Sequence, residues 1–137
     1  MAKSTVLIGL GMHPFLARTI GDDPTVATAA GASAGSATSL NGKNSVIYVN
    51  ASNTGSGVLL PGIGGDNGAL LGDDIKIANL LGAAIQVYAA NNGLGSAVQI
   101  YMDGGSITGT VGFSVTSGKA VIMTPITVSA WIGIRSA

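Results

Sequence analysis

His13 is the only imidazole in the chain, and all six acidic residues are aspartates: Asp22, Asp23, Asp66, Asp73, Asp74 and Asp103. A Ser-His-Asp relay, a histidine metal site or a pair of histidines trading a proton would therefore all run through one residue, which stands beside Pro14. The simpler reading is a packing or solvent-facing histidine. Asp22-Asp23 and Asp73-Asp74, with Asp66, Asn67 and Asp103, offer hard oxygen ligands of the kind Ca²⁺ takes, about six to eight at a time. Their spacing matches no EF-hand loop, and loop capping accounts for them. Glycoside hydrolysis needs two carboxylates flanking the scissile bond, and no pair of these aspartates stands out. With no cysteine, disulfides, thiolate metal sites and a cysteine nucleophile are excluded together, and the redox compartment stays undetermined.

Two glycine motifs invite a nucleotide. Val6-Leu7-Ile8-Gly9-Leu10-Gly11 has the strand and Gly-x-Gly of a dinucleotide-binding turn, but Pro14 occupies the third glycine position and no acidic residue follows at the ribose-binding distance. Gly118-Lys119 lacks both the upstream glycine and the following Ser or Thr of a phosphate loop, since Phe113 and Ala120 stand there. It is read as a turn. Asn50-Ala51-Ser52 fits a glycosylation acceptor but, with no secretory signal in view, is expected to be a turn. Trp131, Tyr88 and Tyr101 are the candidates for a sugar-stacking platform, against which stands ordinary core or interface packing. The motifs lead to no catalytic, cofactor-binding or metal-binding residue, and the chain is expected to be no enzyme.

The elements that must position these residues follow from composition. Of 137 residues 47% are hydrophobic and only 9% charged, with no net charge; soluble domains usually carry about 25% charged residues. A neutral surface offers nucleic acid no electrostatic footprint, so direct nucleic-acid binding is not expected. Scarce Glu, Lys, Arg and Gln beside abundant Gly, Ser, Thr, Val and Ile argue for strands and turns. No apolar stretch approaches the ~20 residues of a membrane-spanning helix, and the apolar run at 6–10 is short for a signal sequence. The expectation is synthesis in the cytoplasm, with no membrane partner.

Along the chain, residues 5–10 read as a short strand or the start of an extended arm, and a helical turn is conceivable over 15–20. From Ala27 to Ser39 almost everything is Ala, Ser, Gly or Thr, the composition of a flexible linker. Residues 1–43 are therefore expected to be an N-terminal arm, and 44–137 a β-rich assembly domain. Beyond Lys43 hydrophobicity alternates with period two in short segments. Val46-Ile47-Tyr48-Val49 is a strand ended by 50–55, and Val58-Leu59-Leu60 is another. Ile75 and Ile77 pair with Ile85 and Val87 through a hairpin at Leu80-Leu81-Gly82. Val98, Ile100 and Met102 form a strand, as do Val111, Phe113 and Val115, and Gly118-Lys119 turns into a strand over 120–123. The last segment, 126–134, is one strand with Ile126, Val128, Ala130, Ile132 and Ile134 on one face and Trp131 on the other. Up to nine strands in about 95 residues suit an antiparallel sandwich, jelly roll or small barrel.

Gly72-Asp73-x-Ile75-x-Ile77-x-Asn79, then Ile85-x-Val87-Tyr88, Gly118-Lys119-Ala120 and Trp131 near the end resemble a pattern of small virion proteins of tailed bacteriophages, in head decoration or cement proteins and fibre-like appendages. The resemblance covers roughly residues 44–137. It implies a β domain forming homotrimers or similar rings on a capsid surface, partnered by the major capsid protein, with an extended N-terminal segment and no catalytic residues to carry over. Scarce charge and thin aromatic burial point independently to extra burial by association. The expected function is that of a non-enzymatic capsid decoration protein. The alternative is a receptor- or glycan-binding module of a fibre or tail tip, using Trp131, Tyr88 or Tyr101 with loop Asp or Asn side chains.

Overall fold

A computed structural model describes residues 24–64, 68–90 and 97–136. Eleven strands carry the fold among them: β1 (Thr25–Gly31), β2 (Thr38–Ser39), β3 (Val46–Gly55), β4 (Gly57–Leu60), β5 (Ile75–Asn79), β6 (Ile85–Ala89), β7 (Gln99–Met102), β8 (Gly105–Thr108), β9 (Phe113–Val115), β10 (Ala120–Thr127) and β11 (Ala130–Arg135). The described chain is all-β, as its composition requires. A seven-stranded sheet runs β1-β3-β5-β10-β11-β7-β8, and a four-stranded sheet runs β2-β4-β6-β9.

The strand order corrects the antiparallel expectation. Through its first six strands the chain alternates between the sheets, and β1-β3-β5 and β2-β4-β6 are all parallel neighbours. Three coils are thus stacked one on the next. Only then does the pattern turn: β9 runs antiparallel to β6, while β10 pairs antiparallel with both β5 and β11. β11 lies parallel to β7, which forms a hairpin with β8. Alternation of side chains is the same in either kind of ladder, so it assigns faces and leaves partners open.

The hairpin expected at Leu80-Leu81-Gly82 does not form. β5 and β6 belong to different sheets, and residues 80–84 carry the chain across the core. Residues 24–43, expected in the arm, instead make the first coil. β1 needs only Ala27 and Ala29 facing inward, because Val49 on β3 already fills the layer beside it. The serine-rich stretch that follows is a hydrogen-bonded turn: Ser36 and Ala37 N–H donate to Ser33 O at 3.1 and 3.0 Å, and Ala32 N–H donates to Ser36 Oγ at 3.2 Å. Thr38 Oγ1 then donates to Thr28 O at 2.6 Å. The strand expected at 5–10, the helical turn at 15–20 and the rest of the arm before residue 24 lie outside the described residues.

Two further boundaries move. Residues 50–55 continue β3 as an exposed extension paired with β1 rather than ending it, so Asn50-Ala51-Ser52 is strand and not turn. The segment 126–134 is a hairpin end: β10 stops at Thr127, Ser129 N–H donates to Thr127 Oγ1 at 3.2 Å, and β11 starts at Ala130. Odd-numbered side chains point in on both sides of the bulge there, so Ile126, Ile132 and Ile134 face outward while Pro125, Trp131 and Gly133 point in, the division of faces that the alternation predicts.

Both sheets contribute to one core. Ile47, Val49, Ile75, Ile77, Ile100, Val121, Met123 and Trp131 come from the larger sheet, and Val58, Leu60, Ile85, Val87, Phe113 and Val115 from the smaller. The coil corner at β3–β4 depends on glycine. Gly31 (φ +74°) and Gly55 (φ +123°) are paired in register, and a Cβ on Gly55 would lie 2.3 Å from Gly31 O. Neither the dihedrals nor the spacing admit a side chain.

Candidate functional site

The described sequence candidates do not converge. Asp74 accepts a hydrogen bond from Thr124 Oγ1 at 2.5 Å at the start of β5, and the backbone N–H of Asp73 donates to Leu70 O at 3.1 Å. Asp103 sits in the β7–β8 turn and forms an ion pair with Arg135, whose other guanidinium nitrogen donates to Ser114 O at 3.1 Å. That arginine links the end of β11 to β9 of the smaller sheet. Among the described residues no three His, Cys, Asp or Glu side chains come together. His13, Asp22, Asp23, Asp66, Asn67 and the Val6-to-Gly11 motif lie outside the described residues. Gly118 (φ +72°) and Lys119 form the turn between β9 and β10.

The proposed aromatic platform is taken apart by burial. Trp131 is 1% exposed and lies in the core. Tyr88 is buried on β6, with its hydroxyl donating to Ala32 O at 3.0 Å. Tyr101 alone of the three is on the surface, 44% exposed. Trp131 pairs with Ile100 and Tyr101 with Ile132, so the tryptophan and this tyrosine face opposite sides of one sheet.

What the fold does assemble is an uncovered apolar face. On the outer side of the larger sheet, Tyr101 pairs with Ile132, Ile132 with Thr124, and Ile134 with Ile122. Ile122 pairs in turn with Lys76, and Lys76 with Val46. Ile132 and Ile134 are 42% and 68% exposed, while Ile122 and Val46 are half-buried. Charge is sparse there: Lys76 lies in the second row, and Asp74 is bonded to Thr124 of the first. At one end Leu71 (57% exposed) precedes Gly72, whose N–H donates to Pro125 O at 2.9 Å; Ile126 and Val128 are exposed close by in sequence. A sheet with one face in water normally alternates apolar inside with polar outside. β11 departs from that rule.

Asn79, which enters the sequence analysis only as the last residue of a motif and with no role, is the only polar side chain fully buried among the described residues. Its Nδ2 donates to Ala83 O at 2.8 Å and to Val115 O at 2.9 Å, and its Oδ1 accepts from Leu81 N–H at 3.0 Å. Its backbone bonds the β9–β10 turn at Lys119 O and Gly118 N–H. One side chain thereby ties the crossing loop 80–84 and β9 to the end of β5. The motif that suggested virion proteins is made of such parts: Ile75, Ile77, Ile85, Val87, Tyr88 and Trp131 are buried, Gly72 and Gly118 have positive φ, and Asn79 is the peg.

Comparison with family models, curated proteins and solved structures gives no match to this chain. The apolar sheet face and the Asn79 peg therefore stand on geometry alone.

Proposed function

We propose that this chain is a non-enzymatic structural protein that works by assembling, as a capsid decoration or cement protein of a tailed bacteriophage. The observation that carries the reading is the outer face of β10, β11 and β7, where Ile132, Ile134 and Tyr101 stand uncovered. Contiguous apolar patches on soluble proteins mark contact surfaces. Full burial of such a side chain contributes about 1.5–3 kcal/mol, so three roughly half-exposed residues supply about 2–5 kcal/mol per copy before association costs are subtracted. A contact of that strength needs repetition, and a closed ring provides it. The partners are copies of the chain, as a homotrimer, and the major capsid protein beneath. The two sheets around one core are read as a sandwich-like body of coils suited to transmit load.

The glycan-binding alternative is left with Tyr101 as its one exposed ring, since Trp131 and Tyr88 lie inside the protein and stacking on a sugar requires an exposed face. Cosedimentation with empty shells tests the assembly reading. Binding that saturates at a fixed ratio to capsid subunits, and is lost in Ile132→Asp, is expected; full-length protein that stays in the supernatant at every ratio overturns it.

A further inference from the structure

The outer face of the larger sheet has two unlike ends. β11 runs antiparallel to β10 and parallel to β7. The β10–β11 turn at Val128-Ser129 and the β7–β8 turn at Asp103-Gly104 therefore lie at opposite ends of it, about 20 Å apart at the rise of six strand residues. The first end is apolar and exposed. Leu71, Ile126 and Val128 are 57%, 48% and 53% exposed, and no charged residue occurs from Pro125 to Ala130. The second end is hollow. Tyr101 pairs with Ile132 on one side and Ser106 on the other. Beyond that row Asp103 and Gly104, both with positive φ, make the tight turn favoured in hairpins. Gly104 and Gly105 offer no side chain there, which leaves a concavity of ≈ 580 Å³ against Tyr101 and Ile132. The carboxylate on its rim, Asp103, is already paired with Arg135 of the same chain.

We propose that copies of the chain join head to tail, the β10–β11 turn of one copy, led by Val128, docking in the concavity between Tyr101 and the Gly104-Gly105 backbone of the next. The inference rests on the assembly reading and names the two surfaces that meet. Symmetry asks for two of them: a ring of three joins unlike patches, whereas a patch that meets itself closes at two. Charge matches as well. An uncharged turn enters a hollow whose carboxylate is neutralised within its own chain, so no ion is buried without a partner. Area favours the same arrangement. The three part-exposed side chains at one end fall short of the ~1,000 Å² that a specific contact buries. Head-to-tail closure gives each copy two contacts, and commits Leu71, Ile126 and Val128 as well as Tyr101, Ile132 and Ile134.

Disulfide trapping tests the contact, because the chain has no cysteine of its own and Val128 and Ser106 are both exposed. Mixed and mildly oxidised, full-length Val128→Cys and Ser106→Cys should link to each other, and neither should link to itself. The double variant should give a ladder on denaturing gels that ends at three chains. Val128→Cys linking to its own kind, or a ladder that ends at two, overturns the proposal in favour of a twofold contact. Sedimentation of the unmodified chain separates this failure from that of the assembly reading. A multimer whose cysteine variants stay unlinked refutes the head-to-tail contact alone, whereas a monomer at every concentration refutes both. If a variant does not assemble, hydrogen exchange on the unmodified chain decides. Amides of 103–106 and of 128–130 should slow together, on the order of tenfold or more, as concentration rises; slowing at one turn only overturns the contact.

Discussion

Replacing Asn79 with alanine should destabilise the fold far more than the size of the side chain suggests. The carboxamide makes three hydrogen bonds at a fully buried position. Its bond to Val115 O is buried, so the stranded carbonyl costs about 1–3 kcal/mol. Those to Ala83 O and Leu81 N–H are only partly buried, where water can take over some of the loss, and contribute about 1 kcal/mol each. The total is about 3–5 kcal/mol, or a fall in Tm of roughly 10–20 °C for a domain of this size. Denaturant titration and calorimetry measure it; a loss under about 1 kcal/mol would mean that the loop and β9 are held by something else. Asn79→Asp sharpens the test through pH. Burial and the two facing carbonyls oppose the anion, so the folded pKa must exceed the unfolded value of about 3.9. The variant should come nearest to the parent below about pH 4, where a neutral carboxyl can still donate, and lose stability as pH rises through its folded pKa. The reverse trend would refute the assignment.

Gly55→Ala should cost more than about 2 kcal/mol, from positive φ and the close carbonyl of Gly31, whereas Gly35→Ala, with nothing within 4 Å of the added carbon, should change stability by less than about 0.5 kcal/mol; equal effects in urea titrations would remove the coil corner from the account. Trp131→Ala should lose about 3–5 kcal/mol as a core truncation, and Tyr101→Ala should leave the stability of the isolated subunit nearly unchanged while weakening its association. Arg135→Ala should cost less than about 1 kcal/mol, since the pair with Asp103 is about half exposed on both sides, and thermal melts that fall by more than about 5 °C would contradict that.

Much of the architecture is legible in the residues. Ile75, Ile77, Ile85, Val87, Ile100, Met102, Phe113 and Val115 alternate inward as their spacing predicts. What alternation cannot convey is whether the next strand pairs beside the last or crosses to the other sheet, and residues 80–84 take the second course with Asn79 as their anchor. The Ala/Ser/Gly/Thr tract misleads for a related reason: a strand stacked beside a full layer needs little bulk of its own, and its turn is built from serine hydroxyls. Asp103-Gly104 is a hairpin signal that was available in the sequence. The uncovered face follows the alternation itself, with Ile126, Ile132 and Ile134 on one side and Trp131 and Gly133 on the other; what the spacing does not tell is which of the two sides looks to solvent.

The central claim is that this apolar face is completed by another copy. Sedimentation velocity across a wide dilution series, on the parent and on Ile132→Asp with Ile134→Asp, measures it directly. The parent should sediment as a closed multimer at three times the 13.4 kDa subunit mass, and the double variant as a folded single subunit. A parent that remains a compact monomer at every concentration, with its melting temperature unmoved by dilution, would contradict the account.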